Sequence, residues 1–432
     1  MPLSAPSDDG DSSASRTATS SRSSSSTTNE RGHIHRPARR SIRCEPADRG
    51  TQAATGGGIV TELVVSEAFP MTVVLYVLST FVAFATAAAL TPLIAHLAER
   101  LNMLDMPGGR RQHPWPIPRP GGLAIALAFG LTIFLFWAID RYMGRPFLIP
   151  EEVRTPRFAL TALAAFLGMT VGFIDDAFDL RARWQFLGNA IVAFIVIAAG
   201  IHIDFVDDPL GSGLIELAFP VAVAFTFFWI VGMNVALNFI DGLDGLAAGV
   251  SAIAAATLGA IALLPQVSEP FVAWMAFSLA GASLGFLLFN FHPARLFMGT
   301  SGVVFVGTML AVLSIFGTAK VAAALLVLGV PIIDTFYVLV RRLLQRQPPF
   351  APDRGHFHHR LLDVGLSHSQ AVLLIYALTL GFGALALLTN GRTQVIAFVG
   401  AFVVFGVVVL ALAQRAPKAT HVEPAVYAED GD

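Results

Sequence analysis

Five polar segments carry the residues of this 432-residue chain with types and spacings suited to chemistry. Asp175, Asp176 and Asp179 close an apolar run. On a helix, positions i and i+4 lie about 40° apart and i+1 about 100° from the first, so a helix reaching Asp179 puts all three carboxylates on one face. Like charges so placed need a cation, and hard oxygen donors suit Mg²⁺, which binds through one or two carboxylates together with substrate phosphates. Asn238, Asp241 and Asp244 recur every three residues, with Gly242 and Gly245 leaving room for close backbone approach. Arg119 stands in Pro118-Arg119-Pro120-Gly121-Gly122, downstream of Arg110, Arg111 and His113, where cations at a helix mouth suit an anion. The stretch Asn290 to Gly302 ends in Gly299-Thr300-Ser301-Gly302, opening a helix whose free N–H groups also suit an anion. Last comes Asp353-Arg354-Gly355-His356-Phe357-His358-His359-Arg360-Leu361, whose histidine spacing fits no zinc-finger or HExxH pattern. Imidazoles and guanidiniums gathered around phosphate are the better reading there.

Each segment alone has a plainer alternative: a positive-inside anchor, a solvated acidic helix end, loop punctuation, an N-cap by Thr300 or Ser301, a merely basic loop. Acids and bases together point to reacting phosphates around Mg²⁺, or Mn²⁺ on the same oxygen donors.

The elements that must position these residues are membrane helices. The chain is 55% hydrophobic and 13% charged, with a mean hydropathy of +0.66. A soluble domain averages about 25% charged residues, so a water-soluble globule is excluded and an all-α polytopic membrane protein remains. A net charge of −2 removes the electrostatic basis for nucleic-acid binding. A single cysteine, Cys44, excludes a disulfide framework or a cysteine-rich zinc site. Eleven apolar runs of spanning length are expected, near 71–95, 121–139, 158–174, 185–203, 214–236, 243–264, 270–289, 302–317, 319–340, 371–389 and 394–413. Residues 59–413 thus read as one membrane-embedded domain. A Ser- and Arg-rich tail, 1–58, has too few apolar residues to fold, and 414–432 form a short C-terminal tail. No cleaved secretory signal is expected before the first run.

Loops after odd-numbered runs hold Arg100, Arg110, Arg111, Arg119, Arg181, Arg183, Arg295, Arg341, Arg342, Arg346, Arg354 and Arg360, with Arg415 and Lys418 in the tail. Loops after even-numbered runs hold Arg141, Arg145, Arg154, Arg157, Lys320 and Arg392. The positive-inside rule makes the odd loops cytoplasmic, and all five polar segments belong to that side. It also puts the N-terminal tail outside, against the preference of its own Arg36, Arg39, Arg40 and Arg43.

Taken together, the Pro-Arg-Pro-Gly-Gly turn, Asp175-Asp176, Asn238 to Gly245, Asn290 to Gly302, Pro331 with Asp334, and the histidine loop resemble, in order, the motifs of the polyprenyl-phosphate N-acetylhexosamine-1-phosphate transferases. The resemblance runs from Met71 to about Ala413. It implies an integral enzyme of a bacterial plasma (inner) membrane, facing the cytoplasm, that moves a sugar 1-phosphate from a UDP-N-acetylhexosamine to a polyprenyl (undecaprenyl) phosphate carrier. UMP is released, and cell-wall or surface-glycan assembly begins. The histidine loop is similar to the branch using UDP-GlcNAc. The muramoyl-pentapeptide branch has three consecutive histidines and Phe-Glu, absent here. By the resemblance Asp175, Asp176 and Asp241 hold Mg²⁺ or act on the lipid phosphate, while Asp241 and Asp244 serve the nucleotide side. Arg119, Asn238 and Arg354 join the substrate site, Asn290 and Phe297 bind and stack the uracil, and His356, His358, His359 and Arg360 grip the diphosphate. Pro331 bends a helix that frames a lipid groove. The family's usual metal-ligating Asp is Thr300 here, with Val303 where a small polar residue is usual. A non-catalytic relative that binds UDP-sugar or carrier stays open on that account, as does a secondary transporter. Monomer and homodimer are both compatible with the sequence.

Overall fold

A computed structural model of the chain describes residues 57–106, 115–143, 156–208, 213–316, 320–347 and 355–415. Residues 1–56 of the expected tail, Arg110, Arg111, His113, Asp353, Arg354 and nearly all of the C-terminal tail lie outside the described residues, while Gly57 and Gly58, assigned to the tail, open α1. Among the described residues thirteen helices run α1 Gly57–Arg100, α2 Gly122–Met143, α3 Pro156–Phe178, α4 Ala182–Ala198, α5 Phe219–Ile240, α6 Leu246–Ala262, α7 Pro270–Asn290, α8 Gly299–Ile315, α9 Lys320–Val327, α10 Gly329–Leu344, α11 Phe357–Asp363, α12 His368–Leu388 and α13 Gly391–Arg415. Two short antiparallel ribbons interrupt the helical pattern, β1 (Leu104–Asp105) with β2 (Ile117–Pro118), and β3 (Phe205–Asp207) with β4 (Leu214–Glu216).

Among the described residues seven helices are long and apolar enough to cross a membrane, against the eleven spanning runs expected: α1, α2, α3, α5, α7, α12 and α13. The bent pair α9–α10 makes an eighth if counted as one span. Three more apolar helices, α4, α6 and α8, have 17 residues each. At 1.5 Å per residue they reach only about 25 Å, short of the roughly 30 Å hydrocarbon core. In α6 and α8 the shortfall is met by burial, since nearly every residue of both is covered by other helices.

The expected boundaries shift for local reasons. The run expected at 214–236 starts its helix at Phe219, because Pro220 has no N–H and is accommodated in a first turn; Leu214–Glu216 is β4 instead. The run at 185–203 ends at Ala198 before Gly200, which takes a left-handed φ of 78°. The run at 319–340 is not one helix. Its two halves bend by 77° at Leu328, where the ring of Pro331 opposes the carbonyl of residue 327 and supplies no N–H. Helix α11, in the histidine loop, has no apolar run and was not expected.

Described residues from Gly58 onward pack as one unit. α7 lies inside, with 78% of its most apolar stretch buried, whereas α1 and α13 bury 22% and 11% and present their leucines, valines and phenylalanines outward. Lipid is as apolar as these side chains, so helix association rests on close packing and buried polar contacts. Both are present. Gly281 and Gly285 of α7 form a Gly-x-x-x-Gly face, and a Cβ on either would come within 2.2 Å of the Thr80 or Phe84 carbonyl oxygen of α1. Among α4, α5 and α8, the Asn234 amide donates to Asn189 Oδ1 and Thr308 Oγ1, both at 3.2 Å. Trp229 Nε1 of α5 donates to Ser314 Oγ of α8 at 3.0 Å.

Because the atoms facing Gly281 and Gly285 are backbone, Gly281→Val or Gly285→Val should lower the thermal unfolding midpoint in detergent, consistent with the roughly 1–3 kcal/mol of overpacking. An unchanged midpoint in both variants would show that α1 does not rest on this face.

Candidate active site

The site is built where α3 meets the start of α8. Gly172 permits the approach, since a Cβ there would lie 2.5 Å from both Ser301 N and Thr300 O. The first turn of a helix leaves N–H groups without intrahelical partners and carries a positive dipole end. Asp176 fills that role for α8: its Oδ1 accepts from Thr300 N–H at 2.7 Å and its Oδ2 from Ser301 N–H at 3.1 Å. Asp175 accepts the Thr300 hydroxyl at 2.6 Å, the Leu180 N–H at 2.9 Å and the Gln185 amide at 2.9 Å. Both carboxylates are buried. Position 300 therefore contributes a donor to Asp175.

Asp179 does not share their face. α3 ends at Phe178, Asp179 takes a φ of 50°, and its exposed carboxylate pairs with Arg119 Nη1 at 2.6 Å. Arg119 also donates through Nε and Nη2 to Asp105, at 2.9 and 2.6 Å. The guanidinium thus bridges β1 and the end of α3, already engaged by two carboxylates. Its backbone stays close to the site: Phe297 N–H donates to Pro118 O and Gly121 N–H to Phe297 O, both at 2.9 Å. The Pro-Arg-Pro-Gly-Gly turn and the loop before α8 are thereby stitched together.

Asp241 follows the last residue of α5 and its carboxylate has no hydrogen-bond partner among the described residues. Burial first, then the charges of Asp176 and Asp244, push its pKa well above the ordinary carboxylate value. An unpartnered carboxylate facing two others is a donor set that fits a hard divalent cation. Asp244 is differently engaged: its Oδ2 accepts from His292 Nδ1 at 2.7 Å and from Ala294 N–H at 3.1 Å. Asn238 is exposed on the last turn of α5, with no hydrogen-bond partner among the described residues.

The histidine loop docks on this turn through an acid buried in α10. Asp334 Oδ2 meets His356 Nδ1 at 2.9 Å, and its Oδ1 accepts Phe357 N–H at 2.8 Å at the start of α11. His356 lies against Phe239, ring centroids 5.1 Å apart, and beside His358 at 5.7 Å. His358 is buried against Gly242, where a Cβ would come within 2.5 Å of its Nε2, an atom with no hydrogen-bond partner among the described residues. Burial first, then the neighbouring imidazoles, holds its pKa well below the usual histidine value. His358 is therefore a neutral imidazole near pH 7. His359 packs on it at 4.3 Å, and Arg360 Nε donates to Gly355 O at 3.0 Å.

On the nucleotide side, buried Asn290 donates from Nδ2 to Leu296 O at 2.9 Å while its Oδ1 is buried without a partner, and Phe297 is part-exposed beside it in the loop. The fold thus gathers Asp175, Asp176, Asp241, Asp244, Thr300, His356, His358 and His359 around adjoining turns. It ties the Arg119 guanidinium elsewhere, and Arg354 lies outside the described residues. Residue-type reasoning assigned no role to Asp334, Gln185, His292 or His368. Asp334 carried a usable signal, because an acid inside an apolar helix must find a partner. The two histidines carried none in sequence, since their partner Asp244 comes from a distant turn, and Gln185 reaches Asp175 only because the chain turns back after α3.

Residues 158–318 match the family model described as glycosyl transferase family 4. The chain is similar to the Bacillus subtilis "Probable undecaprenyl-phosphate N-acetylglucosaminyl 1-phosphate transferase", 34% identical over 323 residues covering 73% of this chain and 86% of that one. It is 35% identical over 343 residues to the Mycobacterium leprae decaprenyl-phosphate N-acetylglucosaminephosphotransferase, covering 73% and 85%. Against the Escherichia coli K12 undecaprenyl-phosphate alpha-N-acetylglucosaminyl 1-phosphate transferase the identity is 26% over 304 residues, covering 67% and 78%. With the motifs in order and the acids and histidines gathered at adjoining turns, this multi-helix membrane chain belongs to glycosyl transferase family 4.

Proposed function

We propose that this chain transfers N-acetylglucosamine 1-phosphate from UDP-N-acetylglucosamine to an undecaprenyl-type polyprenyl phosphate at the cytoplasmic face of a bacterial plasma membrane. A lipid phosphate oxygen bonds to the sugar-linked phosphorus, the bond from that phosphorus to the UMP oxygen breaks, and a lipid-linked diphosphate sugar remains. The observation that carries this reading is the uncommitted Asp241 carboxylate, set beside Asp176 and Asp244 with the histidine loop docked on the same turn.

The chemistry brings anion to anion, so positioning and charge compensation are the main tasks. Mg²⁺, when bound, would neutralise charge developing on the bridging and leaving oxygens. Asp241, with Asp175 and Asp176 at its side and the Thr300 hydroxyl as a neutral oxygen donor, is the set that would hold it. His358, uncharged and with an unpartnered Nε2, offers a hydrogen bond to a phosphate oxygen. His356 is oriented for the same region by Asp334. The free Oδ1 of Asn290 is suited to an N–H of the uracil and Phe297 to its face. In this reading the eight candidate spans and the three 17-residue helices all cross, giving eleven passes with every polar segment on one side.

Asp241→Asn should lower UMP release from UDP-GlcNAc, with polyprenyl phosphate and Mg²⁺ supplied, by about 10²-fold or more. The fold should be intact, since that carboxylate receives no hydrogen bond from the described residues. Near-normal turnover would remove Asp241 from the reaction. A wild type that binds UDP-sugar yet never releases UMP would identify a binding relative.

Thr300→Asp replaces the donor held 2.6 Å from Asp175 by a second carboxylate. It should unfold at lower temperature than wild type without divalent cations, recover when Mg²⁺ is added, and half-saturate at about tenfold lower Mg²⁺, equivalent to about 1.4 kcal/mol. Unchanged thermal and Mg²⁺ titrations would show that position 300 does not face the ion.

Orientation is testable in a Cys44→Ser background. A cysteine replacing exposed Gln347 should be shielded from an impermeant thiol reagent in intact cells, and one replacing exposed Asn390 should react. The opposite pattern would invert the topology.

A further inference from the structure

Three segments far apart in the chain bring a second set of ligand-bearing side chains together beside the transfer site. Asp244 comes from the turn between α5 and α6, His292 from the loop between α7 and α8, and His368 from the first residue of α12. One donor atom from each lies within 4.8 Å of the others. The His292 and His368 rings are stacked, centroids 4.2 Å apart and 14° from parallel. His292 Nδ1 lies 2.7 Å from Asp244 Oδ2, and His368 Nε2 is buried without a hydrogen-bond partner among the described residues.

We propose that Asp244, His292 and His368 bind one divalent transition-metal ion of the Zn²⁺ class, at a site separate from the Mg²⁺ ligands.

The donor set decides the class of ion. Two imidazoles and one carboxylate suit Zn²⁺ and neighbouring first-row ions, whereas Mg²⁺ prefers oxygens alone. Ligands on a tetrahedral ion at about 2.0–2.1 Å lie roughly 3.3 Å apart, a separation bracketed by the 2.7 Å contact and the 4.8 Å limit. The carboxylate is already oriented: Ala294 N–H donates to the same Asp244 oxygen at 3.1 Å, the kind of outer contact that fixes a ligand. His292 needs only an ordinary tautomer change, its proton moving from Nδ1 to Nε2, to turn a lone pair toward the ion. Its side chain is 41% exposed, which leaves an entry path and room for water at the remaining coordination position. An ion there would tie α12 and the loop before α8 to the Asp-Gly turn that carries Asp241. The inference does not depend on the transfer reaction, because its readout is metal binding.

The test uses the full chain purified in detergent, freed of metal with a chelator and titrated with Zn²⁺ and with Co²⁺ as a spectroscopic stand-in. The expected result is one tightly bound ion per chain. Its Co²⁺ form should show the visible bands of a four- or five-coordinate site with imidazole ligands, and excess Mg²⁺ should not displace it. His292→Ala and His368→Ala should each weaken Zn²⁺ binding by at least about 100-fold, the upper range seen for losing even an outer-shell partner. Absence of stoichiometric binding, displacement by Mg²⁺, a weak all-oxygen octahedral Co²⁺ spectrum, or unchanged affinity in both variants would each overturn the proposal. Should either variant fail to fold, the wild-type spectrum and the Mg²⁺ competition decide it alone.

Discussion

The capping of α8 by Asp176 is the interaction on which the rest of the site depends. An ionisable side chain in a membrane-spanning helix is costly unless it is paired, and the first N–H groups of a buried helix are costly unless they are satisfied. Asp176 answers both needs at once, bonding the Thr300 and Ser301 N–H groups. The contact requires α3 and α8 to touch, which Gly172 allows. It also fixes where α8 begins, and so where the Arg119 turn is stitched and where Asp175 finds the Thr300 hydroxyl. Removing this carboxylate would disturb the packing of α3 on α8, whereas the Asp241 carboxylate receives no hydrogen bond from the described residues and its removal would leave that packing alone. The two acids were indistinguishable by residue type.

Much of this is legible in the amino-acid sequence. Apolar runs mark where the helices lie, but of the eleven expected to be of spanning length only seven, or eight with the bent pair, are long enough among the described residues, because α4, α6 and α8 stop at 17 residues. The polar segments name nearly every side chain that the adjoining turns gather. What stayed hidden follows from physics with no local signature. The 77° bend between α9 and α10 needs Pro331, which was visible, but its position at Leu328 follows from where the helical hydrogen bonds can restart. The three-carboxylate face failed at Asp179 because its left-handed backbone ends the helix, and the pairing with Arg119 that accompanies this turn joins residues sixty positions apart. Partners of that kind are invisible to spacing arguments, which compare neighbours along one element.

The histidine loop shows the same division. Its composition marked it as phosphate-directed, and composition treats the histidines as equivalent. The fold makes them unequal. His356 is held through Nδ1 by Asp334, which keeps Nε2 available and fixes the ring, a carboxylate–imidazole arrangement that sets which nitrogen faces the site. His358 is pressed against the Asp-Gly turn and kept uncharged by burial first and then by the neighbouring imidazoles of His359, His356 and His368. A neutral imidazole can donate to or accept from a phosphate without adding to its charge balance, so in the proposed reaction His358 would act by direction and not by attraction.

Charge balance then fixes the meaning of Thr300. Arg119 is already neutralised by Asp105 and Asp179, and His358 brings no charge, so neither offsets the carboxylates at the mouth of α5. A third acid at position 300 would stand against Asp175 and deepen that imbalance until a cation entered. The threonine satisfies Asp175 with a neutral donor, and Leu180 and Gln185 complete its shell. With Asp175 and Asp176 both engaged in hydrogen bonds, the carboxylate that still lacks a partner is Asp241. In the proposed reaction a divalent ion would therefore be held chiefly at the Asp241 turn, the same turn against which His358 packs and from which Asp244 reaches toward His292 and His368.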